Sequence, residues 1–392
     1  MEAAGVYVHI PFCRAKCVYC DFCSFAGAEA LQAPYVAALL AELRAAAPRW
    51  RAVPFDTAFL GGGTPTILPA DSLVAIVADC RRRLALPADA EITVEANPGT
   101  VDLAGLRALR AGGANRLSLG VQSLVGAELA LLGRVHSAEE AAAAVELARR
   151  AGFRNISLDL MYGLPRQTVR VWRRTLEGAL ALGPEHLSLY ALTVEEGTPL
   201  AAAIARGALP PPDDDAAADM YEVAERTLAA AGYAHYEISN WARRSPDDPA
   251  ESDGPPRLAC RHNLKYWHNA RYLGLGLAAA SYDGLARYRN IEDPREYIRR
   301  LAAGESPEAD REEVDLPTRI GETMMLGLRL TAGVGREEFR ARYGRALEEV
   351  YGPVIARLVD DGLLESDARG IRLTPRGRLL GNRVFAEFLP SA

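Results

Sequence analysis

Four cysteines lie close together near the start of the chain, in the stretch HIPFCRAKCVYCDFCSF (residues 9–25). Three of them, Cys13, Cys17 and Cys20, have the spacing C-x3-C-x2-C, and Cys23 follows. Thiolates are soft ligands that suit zinc and iron–sulfur clusters. A zinc site would use all four, although structural zinc sites usually separate two ligand pairs by a longer loop. Three thiolates on one loop can instead hold three irons of a [4Fe-4S] cluster, and the spacing favours this interpretation.

A second set of candidate residues lies at or near the ends of apolar segments. GGGT (61–64) ends one of them, and its glycines would let backbone amides approach a ligand closely, unless the segment is a plain tight turn. Glu95 could accept hydrogen bonds from hydroxyl groups or simply lie in solvent. Asp159 interrupts the apolar run SLDLMYG, and buried acids are rare unless they are paired or used.

The third candidate is the segment CRHNLKYWHNARYLGLG (260–276). His262 is a possible metal ligand, and Tyr266 and Trp267 could pack against a planar apolar group. Haem iron is often held by an axial histidine, and Cys260 offers a thiolate as an alternative ligand. A core or N-capping histidine beside aromatic packing explains the same residues, and the residues alone favour that explanation.

These residues need a scaffold, and the first two-thirds of the chain alternates short strands with helices. The predicted strands are 6–10, 57–61, 91–96, 116–120, 155–163 and 186–192, separated by Ala-, Leu- and Arg-rich helical stretches. Such alternation predicts an α/β fold, with a parallel sheet and helices outside it. Periodicity does not separate an open sheet from a barrel, but in both the functional side chains lie at the carboxyl ends of the strands.

The alternation weakens after residue 242. Residues 243–257 are rich in Pro, Asp and Ser, which predicts an exposed and mobile loop. Towards the C-terminus a helix is followed by GLLE, a turn, IRLTPRG and another helix, the order of a winged-helix module. We therefore predict three regions: a strand–helix barrel over residues 1–242, a segment 243–299 with the loop and HNLKYW, and a mostly helical, winged-helix-like domain 300–392.

Composition excludes several classes of protein. A chain of 392 residues suits about two or three domains, and 49% hydrophobic with 24% charged residues is ordinary for a globular protein. The net charge of -6 gives no general attraction to nucleic acid or anionic membranes. Without a signal peptide or an apolar run of membrane-spanning length, we expect a cytoplasmic protein. In that compartment clustered cysteines are more often ligands or catalytic groups than disulfides.

The segment YVHIPFCRAKCVYCDF resembles the signature of the radical S-adenosylmethionine (SAM) superfamily, in its oxygen-independent coproporphyrinogen oxidase-like branch. FLGGGTPT, VEANPGT, RLSLGVQS, LLGRVH and SLDLMYGLP continue the resemblance over nearly the whole chain. It implies a partial (β/α)6 TIM-like barrel with a C-terminal accessory domain. It also implies a [4Fe-4S] cluster on Cys13, Cys17 and Cys20, with S-adenosyl-L-methionine on the open iron. The positions that the resemblance assigns to this cofactor are Tyr7, Tyr19, Gly62, Gly63, Thr64, Glu95, Gln122, Arg134 and Asp159.

Two features separate the groups within this branch. Its decarboxylases carry a further cysteine at the position of Phe22, so the role of Cys23 stays open and outside the cluster. HNLKYW resembles an H-N-x-x-Y-W motif of the branch's haem chaperones, which implies His262 as a haem ligand. The resemblance favours a chaperone that passes haem to an unidentified acceptor protein, so whether the chain is an enzyme is left open. The alternatives are radical decarboxylation of coproporphyrinogen III to protoporphyrinogen IX and a DNA-binding cluster sensor, which the acidic charge disfavours.

Overall fold

The structure is a computed structural model that describes residues 2–245, 248 and 254–390. Its strands are β1 (Ala4–Ile10), β2 (Phe12–Cys13), β3 (Phe25–Ala26), β4 (Phe55–Gly62), β5 (Glu91–Ala96), β6 (Arg116–Gln122), β7 (Ile156–Tyr162), β8 (His186–Ala191), β9 (Tyr233–Glu237), β10 (Asn240–Arg243), β11 (Tyr272–Leu275), β12 (Ala280–Tyr282), β13 (Ala286–Asn290), β14 (Glu308–Glu313), β15 (Val334–Gly335), β16 (Leu364–Ser366) and β17 (Gly370–Leu373).

Its α-helices are α1 (Gln32–Ala46), α2 (Ala70–Arg83), α3 (Leu103–Ala111), α4 (Gly126–Leu131), α5 (Ala138–Arg150), α6 (Val169–Ala181), α7 (Pro199–Ala205), α8 (Asp214–Ala230), α9 (Arg261–Trp267), α10 (Pro294–Ala302), α11 (Leu316–Gly327), α12 (Arg336–Tyr343), α13 (Leu347–Asp360), α14 (Pro375–Leu379) and α15 (Gly381–Ala386). Among the described residues, no helix is both long and apolar enough to span a bilayer.

One twelve-stranded sheet forms the body of the molecule, in the order β14-β13-β12-β11-β1-β4-β5-β6-β7-β8-β10-β9. β1, β4, β5, β6, β7 and β8 are parallel neighbours in chain order. Each of these six strands was predicted to within two residues at either end. Because β14 and β9 form separate edges, the sheet is open, and the predicted partial barrel is confirmed.

The helices of the barrel follow from local sequence. Ser137 and Glu140 form a capping box at the start of α5, which satisfies two backbone donors that the helix cannot use itself. In α6 the buried residues Trp172, Leu176 and Ala179 recur at helical spacing and form one apolar face. Strands covered in this way are largely buried on both faces, as β7 is, and their carboxyl ends meet at one edge.

The large sheet continues beyond residue 242, where the predicted barrel region ends, and includes strands from the predicted segment 243–299. β11 pairs with β1 in parallel, and β12, β13 and β14 add antiparallel strands as far as residue 313. β11 has four residues, too few to show a period, which explains why the sequence did not predict it. In the predicted mobile loop 243–257, residues 246, 247 and 249–253 lie outside the described residues.

The C-terminal region has its own hydrophobic core. Its strands form a three-stranded sheet in the order β15-β17-β16, and α11 to α15 pack around buried residues such as Met324, Leu347 and Ile371. The predicted wing is present as the antiparallel pair β16–β17, directly after α13. Ile238, in the turn between β9 and β10, packs against this second core and joins it to the large sheet.

Candidate cluster and cofactor site

A cavity of about 370 Å³ opens at the carboxyl ends of the parallel strands. The topology explains its position, because the segments that follow these strands all emerge at the same edge of the sheet. Of the predicted site residues, Tyr7 and His262 do not line it. Those that line it are Cys13, Cys17, Cys20, Tyr19, Gly62, Gly63, Thr64, Glu95, Gln122, Arg134 and Asp159.

The loop between β1 and α1 brings its cysteines to one wall of this cavity. The backbone N–H of Cys20 donates to the carbonyl of Cys17 at 3.3 Å, which closes a turn. Thr64 Oγ1 lies 3.7 Å from Cys13 Sγ, and Arg134 Nη1 lies 3.5 Å from Cys17 Sγ. Burial raises the pKa of the Cys20 thiol. An iron ion bound to the sulfur stabilises the thiolate and would offset the effect of burial on this pKa.

Tyr7 and His9 support the cysteine loop from inside the barrel. Tyr7 is partly buried, and its hydroxyl lies 3.0 Å from His9 Nδ1. His9 Nε2 lies 2.8 Å from the carbonyl oxygen of Cys23 and therefore donates to it. The predicted contact of Tyr7 with a cofactor stays a prediction. Within β1, Tyr7 contacts His9, and it is the bond from His9 to Cys23 that ties β1 to the loop. Sequence reasoning missed His9, although it stands directly beside the cysteine motif.

The glycines of GGGT make room for the cysteine loop itself. Gly62 has φ +109°, and a Cβ placed on it would lie 2.4 Å from the imidazole of His9. A Cβ on Gly63 would lie 2.6 Å from the carbonyl oxygen of Phe12, directly before Cys13. The sequence predicted glycines that let a ligand approach, and the structure adds that they let one loop approach another.

Two carboxyl groups lie at the bottom of the cavity. Glu95 Oε2 accepts the N–H of Gly62 at 3.1 Å, and Ser118 Oγ lies 3.1 Å from Asp159 Oδ2. Burial, with the nearby charge of Asp159, raises the pKa of Glu95 to about 8. Burial also raises the pKa of Asp159, although hydrogen bonds from Ser188 and Ser118 and the charge of Arg116 oppose it. At neutral pH Glu95 therefore holds a proton and can both donate to and accept from hydroxyl groups.

Hydrogen bonds hold the side chain of Arg134 at the cavity, and an unusual backbone conformation directs that of Gln122 towards it. The guanidinium of Arg134 donates to Asn97 Oδ1 and to the carbonyl of Gly120. Gln122 has φ +66° and follows a register shift between β6 and β7, which re-aims its side chain. Asn97 also donates to Thr64 Oγ1 at 2.7 Å, so it links the ends of β4 and β5 directly and reaches β6 through Arg134. Asn97 belongs to the VEANPGT motif, but sequence reasoning did not single it out, because nothing local reveals these partners.

Phe22 and Cys23 occupy different surroundings. Phe22 lines the cavity and is 62% exposed. Cys23 does not line it, and its sulfur lies 3.9 Å from the carbonyl oxygen of Glu292. Burial raises the pKa of the Cys23 thiol, and the charge of Glu292 adds to this effect.

His262 lies at the opposite end of the barrel, near the amino ends of the strands. Its Nδ1 is 2.9 Å from Thr57 Oγ1, its Nε2 is 3.1 Å from the hydroxyl of Tyr266, and the residue is 1% exposed. Glu91 accepts the backbone N–H groups of Arg261 and His262 and so fixes the start of α9. Burial, with the charge of Lys265, lowers the pKa of His262 to about 3. Both ring nitrogens of His262 already have hydrogen-bond partners, so a haem iron would have to displace one of them. Haem ligation by His262 stays a prediction.

Tyr266 and Trp267, predicted to cover a planar ligand, are also packed against protein. Tyr266 contacts Tyr272 edge-on, with ring centroids 4.8 Å apart. The guanidinium of Arg329 lies 4.3 Å from the centroid of Trp267. Together with His262, these side chains form the floor of the barrel and the contact between α9 and the C-terminal region.

The donor set at the strand ends fits a cluster with an open iron. Among the described residues, no three His, Cys, Asp or Glu side chains are grouped closely enough to hold one metal ion. A cluster in which each cysteine binds a different iron does not need such convergence. The cavity beyond the cysteines has backbone amides, carboxyl groups and the cation Arg134, which suit a ligand with both charges and hydroxyl groups.

The fold and the cysteine loop thus define the class as the radical SAM superfamily, whose family model matches residues 7–178. The model of the HemN C-terminal domain matches residues 314–380. The chain is 38% identical to "Heme chaperone HemW" of Bacillus subtilis over 98% of this chain and 99% of that one. It is 37% identical to the Escherichia coli protein of the same name, with 98% of each covered. The chain belongs to the HemW family of radical SAM proteins.

A solved structure agrees with this assignment of the fold. Coproporphyrinogen III oxidase (HemN) of Escherichia coli, described as a radical SAM enzyme, superposes with a TM-score of 0.81. The two chains are 25% identical, and the match covers 98% of this chain and 90% of the oxidase. The likeness therefore extends over both the barrel and the C-terminal domain.

Proposed function

We propose that this protein is a haem chaperone, which binds haem together with a [4Fe-4S] cluster and S-adenosyl-L-methionine and transfers the haem to an acceptor protein. The observation that carries the proposal is the likeness to heme chaperones named HemW, which runs over almost the full length of both chains. HNLKYW and the absence of a cysteine at position 22 support the chaperone over a decarboxylase. The acceptor, the cytoplasmic location and the absence of a nucleic-acid partner belong to the same proposal.

In this proposal Cys13, Cys17 and Cys20 would hold three irons of the cluster and would leave the fourth iron open to SAM. Glu95 orients the ribose hydroxyls, because its carboxyl group faces the cavity and is held by the N–H of Gly62. Arg134 stays beside Cys17, where its charge stabilises thiolate and carboxylate groups. Cys13→Ala should lose the cluster's iron, whereas Cys23→Ala should keep it.

Oxygen-independent coproporphyrinogen III oxidation is the second candidate, and the structural likeness to the oxidase favours it. The two functions make opposite demands on the same purified protein. A chaperone must hold haem and release it intact, whereas the oxidase must remove two carboxyl groups from each porphyrinogen.

The test uses one anaerobic preparation with its cluster reconstituted. Haemin titration should give a Soret change that saturates at about one haem per chain, as one haem site per chain would give. The loaded protein should pass its haem to apomyoglobin, used here as a spectroscopic acceptor. With reductant and SAM it should release no carbon dioxide from coproporphyrinogen III. Sustained multiple-turnover decarboxylation would overturn the chaperone proposal in favour of the oxidase.

A further inference from the structure

A second cavity, of about 570 Å³, lies at the junction of the β9–β10 hairpin, the C-terminal end of α9 and the wing sheet. It shares no lining residue with the cavity at the strand ends. Its volume is within the range of small-molecule and cofactor sites. Five of its lining residues carry the argument: Arg244, Pro256, Leu264, His268 and Leu330.

His268 presents an imidazole to this cavity. It is the C-cap of α9, six residues after His262, so the two side chains leave the helix axis on different sides and about 9 Å apart along it. Its backbone N–H donates to Leu264, but its ring has no hydrogen-bond partner within the part of the chain that the structure describes. A half-buried imidazole without a hydrogen-bond partner can coordinate a metal ion that a bound ligand carries.

The other histidine of this cavity is already held. The ring of His235 stacks on Trp241 with centroids 4.2 Å apart, and its Nδ1 lies 3.3 Å from Glu225 Oε1. Its Nε2 lies 3.3 Å from the carbonyl oxygen of Ile238, so both ring nitrogens of His235 already have partners. His268 is therefore the better donor of the two.

The remaining walls supply what an amphipathic planar ligand needs. Leu264, Leu330 and Pro256 offer apolar contact. The buried hydroxyl of Tyr236 is not available to a ligand, because it already bonds to the ring of His186 and the backbone N–H of Cys260. Arg244 is exposed, and no described residue forms an ion pair with its guanidinium. A guanidinium without an ion-pair partner at the edge of the cavity is a ready partner for a carboxylate.

We infer that this cavity is the haem site of the protein, with the imidazole of His268 as the axial iron ligand and Arg244 as the partner of a propionate. The inference rests on the proposed function, since it says where the haem of that function binds. It moves the ligand from His262, which is enclosed in the barrel floor, to a histidine at the other end of the same helix. Because the wing sheet forms one wall, the C-terminal domain becomes part of the site.

The test compares full-length variants by anaerobic haemin titration, after thermal melting and iron analysis have shown that each is folded. His268→Ala should weaken haem binding by about tenfold or more, as loss of an axial bond worth at least 1.4 kcal/mol requires. Added imidazole should restore the Soret band of this variant, which a purely structural role of His268 would not produce. His262→Gln, which replaces one ring nitrogen by an amide, serves as the comparison and should retain the Soret band.

Arg244→Ala gives a second readout. It should weaken binding of haemin but leave binding of haemin dimethyl ester unchanged, because the ester has no carboxylate to pair with the guanidinium. If His268→Ala binds haemin like the wild type while His262→Gln loses it, the cavity is not the site, although a haem chaperone remains. If the wild type binds no haem, the proposed function fails, and the inference fails with it.

Discussion

At the scale of single residues, the cluster site depends on how closely two loops approach each other. Gly63 lies against the backbone of the β1–β2 segment, and its N–H donates to the carbonyl of Ile10 at 2.8 Å. Thr64 N–H donates to the carbonyl of Phe12 at 2.7 Å. The GGGT segment therefore fixes the backbone from which Cys13 projects.

Gly63→Ala should reduce the iron content of the reconstituted protein, because the added Cβ would lie 2.6 Å from the carbonyl oxygen of Phe12 and displace the cysteine loop. Iron and sulfide analysis with the visible spectrum would measure this. Gly126→Ala is the matched control, since a Cβ there meets no atom within 4 Å. Full iron content in Gly63→Ala would show that the loop tolerates the shift.

The residues of this site differ in how far the sequence could reveal them. Cys13, Cys17 and Cys20 form a local pattern, so their spacing suffices to group them. His9 and Asn97 act through partners more than ten positions away, and no local pattern encodes those contacts. The role of His262 could not be decided from the sequence alone, because a histidine beside aromatic residues has the same letters whether it faces a ligand or the core.

At the scale of elements, Glu42 on α1 connects parts of the sheet that are distant in sequence. Its carboxylate accepts the N–H of Gly276 at 2.7 Å, the amide of Asn290 at 2.5 Å and the hydroxyl of Tyr297 at 2.5 Å. Burial raises the pKa of Glu42 to about 7, although these three hydrogen bonds oppose the shift. The edge strands beyond β11 are thus held to the barrel by a buried carboxyl group.

Glu42 should make the stability of the fold depend on pH. Its folded pKa of about 7 is above the ordinary value of 4.5, so between these values the folded state binds more protons than the unfolded state. The free energy of unfolding should therefore fall as pH rises through this window and change little above it. Urea titrations of Glu42→Gln and wild type at pH 5, 6, 7 and 8 would measure the difference.

In this comparison Glu42→Gln should show a shallower decline than wild type, because the amide does not titrate. Glu95 also contributes to the decline in both proteins, since burial raises its pKa as well. The difference between the two proteins therefore isolates Glu42. Parallel pH profiles would contradict a raised pKa at this position.

The elements themselves were largely readable from sequence. The six parallel strands were predicted because each is a separate apolar run followed by a helical pattern. β11, β12 and β13 were not, because each has three to five residues and its pairing is set by the neighbours that it meets. The C-terminal wing was predicted because its turn and its flanking helix lie next to each other in the sequence.

At the scale of the whole molecule, two hydrophobic cores lie side by side, one in the barrel and one in the C-terminal region. The backbone joins them where Ile238 N–H donates to the carbonyl of Arg329 at 3.1 Å and Thr331 N–H donates to Tyr236 at 3.1 Å. The cysteine loop belongs to the barrel alone. Stability of the C-terminal core and cluster binding should therefore be separable.

Ile371→Ala should destabilise the C-terminal core by about 2–5 kcal/mol, the usual cost of removing a large buried side chain. Hydrogen exchange should increase in residues 314–380, while the iron content stays that of the wild type. Leu158→Ala, which opens a similar cavity in β7 of the barrel core, is the control. It should lower both the stability of the barrel core and the iron content. Equal iron loss in the two variants would mean that the two cores unfold as one cooperative unit.

The open sheet also has a consequence for aggregation. A sheet that does not close has two edge strands whose free backbone groups could pair with another chain. β9 is shielded on its outer side by the backbone of residues 329–331, which bonds to it. β14 has the sequence EADREE, and it is exposed along almost its entire length. Because pairing at this edge would bring its charges against those of another chain, β14 resists the intermolecular strand addition that an incomplete barrel would otherwise invite.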